Sequence, residues 1–192
     1  MITTVLPASE RTATPWKNGG GVTREVAVWP PGSGLDDFDW RVSMAEVREP
    51  GAFSLFPGVE RCLTVIEGGL RLTFGGGRAV SLNARSEPSI FPGDRACHGL
   101  PVGGAVVDLN VMVRRGRFRS QVERLSNARW RPIGDVALLI ALEPLSVIEE
   151  TRSDHRTTLG VLDGLICAFA PAPPPPTLQV GGRALGVSIS AL

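Results

Sequence analysis

Apolar residues along this chain recur with period two, and no stretch keeps the i, i+3, i+4, i+7 rhythm of an amphipathic helix. Ile2 to Leu6, Thr23 to Trp29, Asp39 to Val47, Arg61 to Glu67, Leu70 to Phe74, Ala79 to Leu82, Ser89 to Phe91 and Val106 to Val113 are short β-rich runs bounded by Gly, Pro, Asp or Asn. Glu67-Gly68-Gly69 reads as a hairpin turn between two of them, and Gly75-Gly76-Gly77 as a second turn. Past Phe118 the pattern restarts with Gln121 to Leu125, Val136 to Leu142, Ser146 to Glu150, Thr157 to Leu162, Leu165 to Phe169 and Ala184 to Ser190. Strands this short and this regular predict an all-β chain of antiparallel sandwiches or barrels. Two units follow, 1–118 and 119–192. The second is short for an independent barrel and is expected to need the Ile2 to Leu6 strand, or its neighbour's surface, to close its core. Pro171-Ala172-Pro173-Pro174-Pro175-Pro176 donates almost no backbone hydrogen bonds and is expected as an exposed polyproline-like connector.

Composition narrows the function classes. At 192 residues and 43% apolar content the chain can bury a core, and its net charge of +1 argues against nucleic acid as a partner. Arg114, Arg115, Arg117 and Arg119 form one local basic cluster, read as a solvated edge. Met1 to Thr14 has neither a basic n-region nor an apolar h-region, and no apolar run reaches about 18 residues, so a cytoplasmic location without a membrane partner is expected. The 3 cysteines, Cys62, Cys97 and Cys167, are widely spaced without a CxxC and predict buried, reduced thiols.

Candidate chemistry concentrates at Pro15-Trp16-Lys17-Asn18-Gly19-Gly20-Gly21. It holds the only lysine among 20 basic Lys and Arg side chains, so Lys17 escapes the arginine bias of the composition. Consecutive glycines suit a loop that takes positive φ or lets a ligand approach the main chain. The lysine precedes the glycines and a strand follows, which excludes a P-loop. Two readings stay open: a loop offering amide N–H groups, an ammonium and a carboxamide to a small anion, or an Asn-Gly turn with Lys17 solvated.

Pro57-Gly58-Val59-Glu60-Arg61-Cys62-Leu63-Thr64-Val65-Ile66-Glu67-Gly68 resembles the first sequence block of cupins, and Phe91-Pro92-Gly93-Asp94 the opening of the second. With Pro15 to Glu25, Phe38 to Ser43, Gly51 to Gly58 and Asp108 to Met112, the chain up to Arg115 is similar to the HutD/Ves family of bacterial bicupins. Beyond Arg119 the resemblance rests on length and strand rhythm. It implies a bicupin fold, two small jelly-roll-like β-barrels in one compact chain, without established catalysis and associated in the HutD branch with control of histidine utilisation. Urocanate and N-formylglutamate are the ligands it implies.

Most cupin enzymes hold a metal through His-x-His, a glutamate and a later histidine. Counted back from Gly68, the glutamate position falls on Arg61 and the histidine positions on Leu55 and Pro57. None is a ligand, and the chain has only 2 histidines, His98 and His155, so neither metal nor cofactor is expected. His98 is expected as a partly buried polar residue.

Period-two alternation puts Arg41 and Ser43 on one face against Trp40, Val42 and Met44; Arg61 with Leu63 and Val65; and Asp108 and Asn110 with Met112. A buried arginine needs an anion, because an unpaired desolvated charge costs several kcal/mol. Asp108 is the expected protein partner, and a purely structural Arg41–Asp108 pair competes with a ligand-binding role. In the binding reading Lys17, Arg41 and Arg61 meet a carboxylate, Asn18, Ser43 and Asn110 hydrogen-bond it, and Trp16, Phe53 and Phe56 exclude water, with Asp108 beside them. The partner expected is a small anionic metabolite; a homodimer is allowed. The alternative is a metal-independent isomerase or lyase acting on a small carboxylate with His98, Asp108 or Glu46 as base. A third class is a scaffold docking through the Pro-rich loop or the arginine cluster.

Overall fold

The computed structural model describes residues 2–16, 19–150, 156–168 and 176–192; Lys17, Asn18, His155 and residues 171–175 of the Pro-rich loop lie outside them. The described residues form an all-β chain of two jelly-roll-like units, one of residues 12–118 and one of residues 1–11 with 119–192. None forms an α-helix, and so no helix among them is long and apolar enough to cross a membrane.

In the unit of residues 12–118, the strands are β2 (Ala13–Pro15), β3 (Gly21–Trp29), β4 (Trp40–Val47), β5 (Gly51–Ala52), β6 (Val59–Phe74), β7 (Ala79–Asn83), β8 (Ser89–Pro92) and β9 (Cys97–Arg114). They form one sheet in the order β2-β3-β4-β9-β6-β7, with β5 on β9 and β8 on β6. Its apolar core gathers Leu63, Val65, Leu70, Leu72, Phe74, Phe91, Cys97 and Val106. The hairpin expected at Glu67-Gly68-Gly69 is not there: β6 runs through it as a single 16-residue strand paired with β9. The register shifts at Glu67 and again before Gly69, and Gly68 has φ +81° with space for no Cβ, which would lie 2.7 Å from the Ala105 carbonyl oxygen. The glycines therefore mark a bulge with close backbone approach rather than a turn. The Gly75–Gly77 turn forms, with φ of +91° at Gly76 and +84° at Gly77.

The other unit contains β1 (Ile2–Leu6), β10 (Phe118–Trp130), β11 (Val136–Ala141), β12 (Leu145–Glu149), β13 (Arg156–Leu159), β14 (Gly164–Ala168) and β15 (Leu178–Ala191). Its sheet order is β1-β14-β11-β15-β12-β13, with β10 on β15. The expected 1–118 boundary is corrected here, because β1 pairs antiparallel with β14 along its whole length. Asp163 Oδ1 accepts from the Ala8 N–H at 2.7 Å and extends that seam. The cause is a long-range pairing: β14 buries Leu165 and Cys167, and β1 covers what would otherwise be an apolar sheet edge. All cysteines are buried and unpaired, and burial pushes the Cys62 thiol up to about 12 and the Cys167 thiol up to about 11, which leaves them inert at neutral pH.

Candidate functional site

The site follows from three neighbouring strands and their register. Across β4, β9 and β6, Arg41 stands beside Met112 and Arg61, Ser43 beside Asn110 and Leu63, and Ala45 beside Asp108 and Val65. Alternation keeps these rows on one face. Arg41, Ser43, Arg61, Asp108 and Asn110 thereby line one cavity of about 680 Å³, whose wall also includes Trp16, Phe53 and Phe56. Lys17 and Asn18 belong to the same expected set but lie outside the described residues. Next to them the Trp16 N–H donates to the Gly21 carbonyl at 2.9 Å and the Gly19 N–H to the Trp16 carbonyl at 3.0 Å.

Arg61 is a buried cation, 5% exposed. Its guanidinium lies 5.1 Å from the ring centre of Phe53, 5.6 Å from Phe56 and 5.2 Å from Phe91, so the rings supply cation–π attraction where no carboxylate touches it. Nη1 donates to the Ser54 carbonyl at a long 3.4 Å, and Nε has no partner. Burial pulls the guanidinium down to about 10, opposed by the charge of Asp108.

Asp108 is 1% exposed, and neither of its oxygens accepts a hydrogen bond. Burial pushes its carboxyl up to about 7, again opposed by Arg61. The expected Arg41–Asp108 pair does not form. Arg41 Nε donates to Glu25 at 2.9 Å and Nη1 to Ser43 Oγ at 3.3 Å. Met112, opposite Arg41, is four residues from Asp108 on β9, roughly 13 Å of strand, whereas Glu25 faces Ser43, one row away, across β3. Glu25 is the acidic residue the sequence reading missed; it shares a β3 face with Thr23, but a bulge after it hides the register.

The aromatic wall is locally braced. Trp16 Nε1 donates to Thr23 Oγ1 at 2.7 Å, and its ring meets Phe53 edge-on with centroids 6.2 Å apart. Phe53 can lie flat on β9 only because residue 99 is glycine, where a Cβ would come 2.5 Å from the ring.

The donor set does not fit a cupin metal. Arg61 occupies the glutamate position, Leu55 is 57% exposed, and no group of three or more His, Cys, Asp or Glu side chains among the described residues could hold an ion. Two of the base candidates are elsewhere: His98 is exposed on β9 rather than partly buried, and Glu46 is taken by Arg48 at 2.8 Å. Asp108 alone of the three lines the cavity. The arginine cluster is the solvated edge expected, with Arg115, Arg117 and Arg119 exposed, and three of its members also clamp neighbouring loops. Arg114 donates to the carbonyls of Phe38 at 2.9 Å and Pro57 at 3.1 Å, Arg115 pairs with Asp94, and Arg117 with Asp39.

Comparison with known proteins adds family to geometry. The chain is similar to Protein Ves of Citrobacter koseri, 42% identical over 108 residues that make up 56% of each chain. It is 37% identical over 120 residues, 62% of each chain, to an uncharacterised 21.2 kDa protein in the hutC 3′ region of Pseudomonas putida. These matches span less than two thirds of the relatives' length. The solved structure of HutD from Pseudomonas fluorescens SBW25 superposes over 100% of both chains with a TM-score of 0.85 at 28% identity. The HutD family model matches residues 8–182, nearly the whole chain, and the protein belongs to the HutD family.

Proposed function

We propose that the cavity of residues 12–118 binds a small carboxylate and that the protein is a cytoplasmic, metal-free metabolite-binding member of its family that modulates histidine utilisation. The observation that carries the reading is Arg61: a buried guanidinium ringed by phenylalanines, aimed into a cavity and paired with no acid. Such a cation carries a desolvation cost of several kcal/mol, and a carboxylate that reaches it removes part of that cost while offering its fork a bidentate partner. Charge-assisted hydrogen bonds contribute roughly 1.5–3 kcal/mol each, so two or three support micromolar affinity once association costs are met. Ser43 and Asn110 line the same cavity, and Lys17 and Asn18 belong to the chain that leads out of Trp16. The family name and the hutC-region relative support the histidine connection, with urocanate and N-formylglutamate as first ligands to try.

Asp108 favours a second reading. A carboxyl near 7 in a cavity is suited to a general base, as in a metal-independent isomerase or lyase acting on the same small carboxylate. No side chain orients it, which favours binding over turnover. Calorimetric titration of the full chain with both anions tests the proposal: saturable heat in the wild type, weakened separately by Lys17→Ala and Arg61→Met, supports it. Absence of heat with either anion overturns it, and product formation from a bound anion replaces it with the enzyme.

A further inference from the structure

Asp108 stands in the cavity without a hydrogen-bond donor. Both of its oxygens, and Oδ1 of Asn110 two residues along the same face of β9, are buried acceptors with no partner among the described residues. Buried polar atoms in native proteins are overwhelmingly paired, and those that are not call for an explanation. The cross-strand neighbours of Asp108, Ala45 on β4 and Val65 on β6, are apolar, and Thr23, one strand further in the same row, is engaged by the Trp16 indole. The charged side chains among the described residues that line the same cavity are Glu25 on β3, Arg41 on β4 and Arg61 on β6. Glu25 and Arg41 are joined to each other at 2.9 Å. The charge of Arg61 therefore remains as the influence that favours an ionised Asp108, against the burial that opposes it. The Cys97 thiol, which also feels Arg61, is raised by burial and stays neutral.

A proton on Asp108 answers this geometry. It turns one of three neighbouring acceptors into a donor and removes a buried negative charge that no hydrogen bond stabilises. An anion held by Arg61 adds to the effect in two ways. It occupies the positive charge that supports the Asp108 carboxylate, and it brings a like charge into the same poorly screened cavity. Resting on the carboxylate reading above, we infer that the cavity takes two ligands together, a carboxylate on Arg61 and a proton on Asp108. The coupling is reciprocal: a proton already on Asp108 tightens the anion by the same factor as the anion tightens the proton. The site thus answers to pH as well as to metabolite. Below about pH 7 Asp108 holds its proton before the anion arrives, and affinity is at its plateau. At higher pH the proton has to be taken up with the anion, and each pH unit weakens binding by up to about tenfold.

N-formylglutamate is the first probe, because its carboxylates stay ionised throughout the range; urocanate, whose imidazole is neutral at pH 8, is the second. Each is titrated calorimetrically into the full chain at pH 8 in Tris and in triethanolamine, cationic buffers whose heats of ionisation differ, so that the buffer dependence of the observed heat counts protons. The expected result is uptake of close to one proton per anion, and N-formylglutamate affinity about tenfold weaker at pH 8 than at pH 6 in Bis-Tris. Lys17, outside the described residues, is the rival site for such a proton, and Asp108→Asn separates the two: uptake and pH dependence are both expected to vanish in it. Should that variant fail to fold, the infrared difference spectrum of the wild type at pH 8 is expected to show the carbonyl stretch of a protonated carboxyl growing in as N-formylglutamate is added, and its absence overturns the inference. Binding without proton uptake at pH 8 overturns it as well and leaves the carboxylate reading standing. Uptake that persists in Asp108→Asn removes Asp108 and with it the inference, and no binding of either anion ends both.

Discussion

Arg61 and Asp108 face one cavity from adjacent strands, one a buried cation and the other a buried acid, and no ion pair joins them. Each instead bears its own desolvation: the guanidinium is pulled down to about 10 and the carboxyl pushed up to about 7. Each desolvation weighs against the folded state, and that cost is measurable.

For Asp108 the pH dependence has a definite sign. Its carboxyl ionises near 3.8 in the unfolded chain and about 7 in the native one, so between those values the folded state holds a proton that the unfolded state has released. Its contribution to stability is therefore full below about 4 and is lost as pH rises through about 7, at about 1.4 kcal/mol per pH unit. Arg41, Ser43, Arg61 and Asn110 share its cavity face, with Thr23 and Glu25 on the β3 wall, and the expected outcome in Asp108→Asn is a melting temperature close to wild type at pH 4 and clearly higher at pH 8. A gain independent of pH would show that Asp108 does not titrate in this window.

Replacing Arg61 with methionine removes a buried cation whose desolvation costs several kcal/mol while giving up cation–π attraction of about 0.5–2 kcal/mol. The melting temperature of the ligand-free protein is expected to stay level or rise, while carboxylate affinity falls at least tenfold, about 1.4 kcal/mol. A loss of roughly 3–5 kcal/mol of folding stability would mean that the charge is structural.

Glu25 restrains Arg41, and its side chain is 44% exposed. Glu25→Ala is expected to cost only about 0.2–1 kcal/mol of stability. It frees a second guanidinium on the cavity wall, so carboxylate binding should tighten several-fold. Unchanged or weaker binding would place Arg41 outside the ligand's reach.

Gly99→Ala drives a methyl group into Phe53. Overpacking of this kind costs typically about 1–3 kcal/mol, and the displaced ring would no longer cover Arg61. Denaturant titration and anion affinity should both fall; a variant with normal affinity would show that the Phe53 wall does not shape the site.

The 119–192 fragment lacks the strand that covers β14. Expressed alone it is expected to lack the amide dispersion of a folded β protein, and a peptide of residues 1–11 should restore it. A folded fragment without the peptide would show that β1 is dispensable.

The sequence by itself determined the secondary structure and the facing of its side chains. Strand against helix is a local matter of period-two alternation, and the same alternation put Arg41 with Ser43, Arg61 with Leu63, and Asp108 with Asn110 on common faces, as the cavity has them. The Gly68 bulge, by contrast, looks like a turn in one dimension, because the Ala105 carbonyl that excludes a side chain there comes from β9. Register, too, was decided only in three dimensions. Asp108 was within reach of either arginine on paper; the β4–β9 and β6–β9 registers put both arginines two rows from it, Glu25 on β3 takes Arg41, and Arg61 and Asp108 are left unpaired on neighbouring strands. That residues 119–192 are short enough to need Ile2 to Leu6 was legible in the chain; that β1 takes the edge beside β14 was a matter of long-range pairing, in which an apolar sheet edge finds its cover.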